Sequence, residues 1–386
     1  MFGRRVTLFR LFGFEVRLDA SWIIIAALVT WSLAAAIFPA SYPSLSRASY
    51  WWMGIAGAVG FFGSIVFHEL CHSLVARYYK LPMRGITLFL FGGVAEMGDE
   101  PRTPKIEFLM ALAGPISSVA LGFLFRGAAL SIVGGSIQAA GVFAYLAWIN
   151  WALAAFNLIP AFPLDGGRVL RAALWHFKGD FSRATRVAST IGSGFGIVLM
   201  AFGLYQLLTG YFIPALWYFM LGTFLRNASQ VSYQQVLLRT ALEGEKVSRF
   251  MHPNPVVVRP EMSLRQLVED YVYRYDYKVY PVVTGESDDL VGCVAAGDVR
   301  NVPKEQWDAR HVSELATACT PENTVTPDTG ALEALTKIQK NEGKGLLVAV
   351  QHHLLATVSA RDVMRFLAAK MQLEGGSMRL MPAGRH

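Results

Sequence analysis

Long apolar stretches fill the first 227 residues, and nothing else in the chain restricts its architecture as tightly. Six stretches, 21–39, 52–78, 107–125, 137–160, 188–208 and 212–226, are each near the ~20 residues that a helix needs to cross a hydrocarbon core. From about residue 244 the chain instead reads as an ordinary soluble domain. The unevenness matters more than the totals, which are 53% apolar and only 16% charged residues. The net charge of +7 does not point to nucleic acid, because the basic residues form no single run. They stand at the ends of the apolar stretches.

Their distribution orients the chain. Arg4, Arg5, Arg10 and Arg17 precede the first span. Lys80, Arg84, Arg102 and Lys105 follow the second, and Arg168, Arg171, Lys178, Arg183 and Arg186 follow the fourth. The alternate connections hold only Arg47 and Arg126. Basic loops stay on the cytoplasmic side, so both termini are predicted inside, a parity that six spans satisfy. Cleaving the first span as a signal peptide would discard the residues that orient the chain's start, so it is counted as a span. Cys71, Cys293 and Cys319 lie far apart with no CxxC pair, which argues against a disulfide framework and for a reducing side for the soluble half. Two stretches in the first half are rich in β-formers. These are "LFGFEVRLD" (11–19) and "RGITLFLFGGVAEM" (84–97), the second with a Gly-Gly that reads as a turn between short strands.

The second span carries "HELCH", residues 68–72. An acid near the centre of an isolated membrane helix costs on the order of 2.5–3.5 kcal/mol, so something must offset it. On a helix His68 and His72 stand about 40° apart and one turn along the axis, and both rings can face one metal ion. Glu69 lies about 80° from their bisector, beside the metal and within reach of a water there. Two ligands and a general base is the geometric content of H-E-x-x-H. Cys71 falls about 80° to the other side and reads as packing. The bland alternative for the histidines is polar glue between helices. A second motif weighs against it. "NLIPAFPLDGGR" (157–168) ends the fourth span, where Pro160 and Pro163 break the helix and the carboxylate Asp165 follows. Catalytic zinc takes three protein ligands and one open position, and Asp165 can supply the third. The second and fourth spans both run from outside to inside, which brings both motifs to the inner half of the membrane.

Together His68-Glu69-x-x-His72 and Asn157-x-x-Pro160-x-x-Pro163-Leu164-Asp165-Gly166 resemble the site-2 protease family of intramembrane zinc metalloproteases, over about residues 1–227. The resemblance implies that His68, His72 and Asp165 bind Zn²⁺, that Glu69 activates water, and that Asn157 stands near the reacting carbonyl. A hydrogen bond across helices is the competing reading for Asn157. "AGPISS" (113–118) resembles another family segment, with Ser118 where many members carry asparagine; Ser118 receives no catalytic part. The 84–97 strands resemble the family's membrane-dipping strands, which could pair with an unwound substrate segment.

The soluble half contains an internal repeat. Gly292, Ala295 and Asp298 match Ala356, Ser359 and Asp362 at a constant offset of 64, and each copy reads strand, helix, two strands, then a helix opened by Asp298 or Asp362. This resembles a tandem pair of cystathionine-β-synthase (CBS) domains, about 245–305 and 311–370 within 245–372. The family often senses adenine nucleotides, so ATP, ADP or AMP is the implied ligand. Ser359 and Asp362 match its phosphate and ribose contacts, with Asp298 kept in the first copy while Ala295 departs. Ser359 and Asp362 could equally be helix caps. Residues 228–244 read as a polar linker and 373–386 as a disordered tail.

The expected protein is therefore a polytopic α-helical membrane protein, of about six transmembrane helices with short membrane-associated β-strands, followed by a soluble α/β tandem CBS domain. Its expected activity is zinc-dependent cleavage of peptide bonds within or near transmembrane segments of membrane-anchored substrates, regulated by the CBS pair or dimerised through it. The rivals are a CBS-gated transporter, which would be expected to show related halves, and a catalytically inactive membrane regulator, which would be expected to lose Glu69 or a ligand.

Overall fold

The computed structural model describes residues 5–89, 92–97, 100–132, 134–275, 277–285, 289–341, 343–351 and 353–373. They divide into two compact units that meet at Gln234/Gln235.

The first unit opens with two strands, β1 (Arg5–Leu11) and β2 (Phe14–Asp19), turned at Phe12 and Gly13, both with positive φ. Helix α1 follows over Ser21–Ser41, then α2 (Arg47–Tyr78), β3 (Met83–Phe89), β4 (Gly92–Met97), α3 (Pro104–Ser131), α4 (Ile137–Asn157), α5 (Asp165–Lys178), α6 (Phe181–Leu208) and α7 (Phe212–Leu242). Four helices begin at side chains suited to the task. Ser46, Thr103, Ser136 and Asp180 each accept an N–H of the first turn of α2, α3, α4 and α6, a contribution of about 1 kcal/mol apiece.

Among the described residues five helices, α1, α2, α3, α4 and α6, are long and apolar enough to cross a membrane, and no more than 44% of any span's apolar window is buried within the protein. Ile23, Ile24, Trp52, Phe123 and Leu124 point outward and are more than half exposed. Apolar surface of that extent needs lipid. The expected sixth span, 212–226, is the first half of α7; Arg226 and Asn227 end its apolar stretch, and the helix runs on to Leu242 through the expected linker.

The four strands form one sheet in the order β1-β2-β3-β4, with β2 and β3 parallel and the outer pairs antiparallel. Phe14 and Ile86 pack on Leu70 of α2, so the sheet sits beside the turn that carries the histidines. The β-rich reading of 11–19 holds: the stretch is the turn and second strand of a hairpin whose first strand starts at Arg5. One expectation needs correction. The Gly-Gly of 84–97 is not the turn: Gly92 pairs with Phe89 and Gly93 with Leu88, so the glycines open β4. The connection through 90–91 lies outside the described residues, as does most of the expected tail.

The second unit holds a seven-stranded sheet. Val279–Thr284, Asp289–Ala295, His353–Val358, Leu346–Val350 and Thr324–Val325 lie in that order, and two-residue strands add to the second and third. The offset of 64 is visible in the pairing itself: Asp289 and His353, which open equivalent strands of the two copies, face each other antiparallel. Each copy has its own core, around Leu264, Tyr280 and Val294 in one and Ile338, Val348 and Val363 in the other. The copies differ after Asp298. The expected helix is a single 3₁₀ turn, Asp298–Asn301, whereas Ala360–Leu373 is a full helix. Pro303 explains the difference, since it lacks an N–H and forces Val302 to the extended region.

Candidate metal centre

The α2 spacing that placed His68 and His72 on one face is realised, and both rings are almost wholly buried. Their centroids are 4.8 Å apart at 76°. The third group arrives from a different part of the chain. After Asn157 ends α4, residues 158–164 form a loop, and Asp165 is the first residue of α5. Its Oδ2 lies 3.0 Å from His68 Nε2 and 3.2 Å from His72 Nε2, across 97 residues of sequence in the first case. Gly166 and Gly167 make this approach possible, because a Cβ at either would fall within 2.3 Å of the backbone of Leu158 or Phe162.

The donor set asks for a cation. His72 Nδ1 donates to the Met110 carbonyl at 2.6 Å, and a carbonyl can only accept. Nδ1 of His72 therefore carries its hydrogen, and in the neutral ring Nε2 presents a lone pair. On the other ring, His68 Nδ1 lies 2.8 Å from Ser118 Oγ, which can fix the same tautomer. With Nδ1 carrying the hydrogen on both rings, two nitrogen lone pairs face one carboxylate oxygen, a donor set suited to a cation. Atoms bound to zinc at about 2.0–2.2 Å in a tetrahedron stand about 3.3–3.6 Å apart, close to the His–Asp separations observed. All three ligand atoms lie within 4.8 Å of one another. There is also a cradle: a Cβ added to Gly114 would meet His72 Nε2 at 2.2 Å and His68 Nε2 at 2.4 Å. Two imidazoles, one carboxylate and this gap fit Zn²⁺ with a position left open.

Glu69 is half-buried and within electrostatic reach of both histidines and Asp165. Cys71 is not among the grouped ligands. Asn157 is half-buried, and its Nδ2 donates to Leu153 O, one turn back on its own helix, at 3.1 Å. It makes neither the expected bond across helices nor one to the histidines or Asp165. Met110 was missed by reasoning from the sequence, and Gly114 and Ser118 of the 113–118 segment were given no part in holding the rings, although a spacing of four puts all three on one face of α3. That spacing, with small residues at 114 and 118, was the available signal.

Comparison with known proteins gives the family. Peptidase family M50 matches residues 56–139 and 128–201, and the CBS domain family matches 247–305. A Synechocystis sp. relative named as zinc metalloprotease sll0528 is 35% identical over 309 residues, 79% of this chain and 80% of its own length. The chain belongs to peptidase family M50, the site-2 protease family. Zinc metalloprotease MJ0392 of Methanocaldococcus jannaschii is 29% identical over 94% of this chain and 96% of its own. The solved site-2 protease from that organism covers 60% of this M50 peptidase and 95% of itself, with 27% identity and a TM-score of 0.42.

The CBS region of this M50 peptidase contains a cavity of about 450 Å³. Tyr275, Tyr277, Lys344, Ser359, Asp362 and Arg365 are among its lining residues. Asp298 is not; it approaches the cavity through Lys344, 3.7 Å from its carboxylate. Ser359 and Asp362 also cap the last helix, Ser359 donating to Asp362 Oδ2 from both its N–H (2.9 Å) and its hydroxyl (2.6 Å). Both readings of that pair therefore have a physical basis.

Proposed function

We propose that His68, His72 and Asp165 hold the Zn²⁺ of this peptidase and that Glu69 is its general base and acid. The observation that carries the reading is the convergence of two imidazole nitrogens and one carboxylate oxygen, all within 4.8 Å of one another. Bound there, zinc supplies Lewis-acid polarisation of the scissile carbonyl and makes water a competent nucleophile near neutral pH. The residues do the rest. Met110 O and Ser118 hold the two rings in the tautomer that offers Nε2. The Glu69 carboxylate takes a proton from the attacking water and returns it to the leaving amide nitrogen. Asn157 Nδ2 serves the developing oxyanion after leaving Leu153 O. β4 is an edge of the four-stranded sheet and offers backbone groups to an unwound substrate strand.

The substrates on this reading are membrane-anchored proteins cut within or near a transmembrane segment, as in regulated intramembrane proteolysis. The protease core spans about residues 1–227 in the cell membrane, and positive-inside counting places both termini and the CBS pair in the cytoplasm. The cavity beside Ser359 and Asp362 takes an adenine nucleotide (ATP, ADP or AMP) that regulates cleavage, and the CBS pair offers a surface for homodimerisation. The test is direct. Purified protein contains about one zinc and cuts a transmembrane test substrate, whereas Glu69→Gln retains zinc and cuts at least about 100-fold more slowly. Undiminished cleavage by Glu69→Gln removes that residue from the reaction. Titrating ATP, ADP and AMP against cleavage rate and thermal stability, with neither changing, removes the regulatory part.

A further inference from the structure

Arg171 is 1% exposed and is the largest wholly buried side chain among the described residues. Its guanidinium lies between two rings, 5.0 Å from the centroid of Phe162 and 4.8 Å from that of Phe181. Nε donates to Glu107 Oε1 at 2.6 Å, Nη2 donates to the same carboxylate, and Nη2 also reaches Glu100 at 3.4 Å. Glu107 is 0% exposed. Even so, the pair is incompletely satisfied: Arg171 Nη1 and Glu107 Oε2 are buried without a hydrogen-bond partner. A buried ion pair with orphaned atoms is a poor device for stability, because well-packed apolar residues commonly do as well or better. Its location supplies another account.

Arg171 stands six residues after Asp165 on α5, nearly two turns along the same helix. The ring it stacks on, Phe162, is three residues before Asp165. Glu107 is on α3, three residues before Met110, whose carbonyl holds His72, and seven before Gly114. The ion pair and the stack therefore join the segment that orients a histidine to both flanks of the segment that carries the carboxylate. The fork of Arg171 fixes direction as well as distance, which a point charge would not.

We propose that Arg171, through Glu107 and Phe162, is a positioning residue of the metal centre, setting Asp165 in register with His68 and His72. This rests on the assignment of those three residues as zinc ligands. Groups that orient ligands typically change metal affinity about 10–100-fold when removed.

The test uses the full-length protein in detergent, with zinc affinity measured by chelator competition, Co²⁺ absorption spectra, and thermal unfolding of the metal-free form. Arg171→Lys keeps the charge but loses the fork and the stacking face. Arg171→Met with Glu107→Leu leaves no unpaired buried charge and so guards against simple misfolding. The expected result is zinc binding weakened about 10–100-fold in both variants, with shifted Co²⁺ bands, while the metal-free unfolding temperature of the double variant stays at or above that of the parent. Wild-type zinc affinity and unshifted bands in the double variant overturn the proposal. So does failure of both variants to fold, which makes the pair a stability element. If the parent protein binds zinc no better than His72→Ala, the ligand assignment itself has failed, an outcome distinct from unchanged affinity in the Arg171 variants.

Discussion

Gly114→Ala is the most discriminating single change in this molecule. The added methyl falls 2.2 Å from His72 Nε2, 2.4 Å from His68 Nε2 and 2.6 Å from His72 Cε1. Heavy atoms that pack without strain stand about 3.5–4.0 Å apart, so both rings would have to retreat by more than about 1 Å. Neither is free to do so: His72 is held at Met110 O and His68 at Ser118 Oγ. Breaking either contact in a buried place costs about 1–3 kcal/mol. Helix propensity acts the other way, because alanine is favoured over glycine by about 0.8–1.0 kcal/mol in a helix interior. In the metal-free protein the lost contacts outweigh this gain, by about 1–5 kcal/mol when both go. In the metal-bound form nothing compensates, because the methyl occupies the space that the two Nε2 lone pairs face. The expected outcome is a helical protein whose metal-free unfolding temperature is lowered, with zinc affinity reduced at least about 100-fold. Zinc per protein is read by elemental analysis after dialysis against buffered free zinc, and helix content by circular dichroism. Full zinc occupancy with undiminished cleavage would refute the reasoning, since the two histidine Nε2 atoms could not then share an ion beside residue 114.

Two further outcomes follow from the same geometry and from the soluble half. Ser118→Ala removes the partner of His68 Nδ1 and is expected to weaken zinc about 10–100-fold by chelator competition without unfolding α3; unchanged affinity would show that the hydroxyl does not fix the ring. Burial pushes the Cys293 thiol up to about 11, so at pH 8 only about one thiol in a thousand is ionised. Its alkylation in the folded protein, followed by peptide mass spectrometry, should be slow at pH 8 and rise nearly tenfold per pH unit until the domain unfolds or the pKa is reached. A rate matching a free thiol at pH 8 would contradict the burial.

Residues that act through local periodicity are legible in the amino-acid sequence. Four residues of helix turn about 400°, so the shared face of His68 and His72 follows from spacing alone. The proline-broken end of α4, the internal offset of 64 and the apolar stretches are likewise properties of short windows of chain. Local pattern misleads where tertiary contacts choose among equal options. A Gly-Gly is turn-prone, yet the pairing of β3 with β4 draws it into a strand. The copies diverge after Asp298 and Asp362 for a local reason instead, since Pro303 cuts the first helix to one turn.

The sequence by itself determined that two imidazoles would share a helix face inside an apolar segment, and that a carboxylate would follow a broken helix elsewhere. Only the tertiary structure decided that this carboxylate closes to about 3 Å from both rings, that Gly114 leaves room between them, and that Met110 and Ser118 turn the lone pairs inward. The physical reason is one of range. A helix fixes angles between residues a turn apart, whereas the distance between α2, α3 and α5 depends on side chains packing across tens of residues of intervening chain.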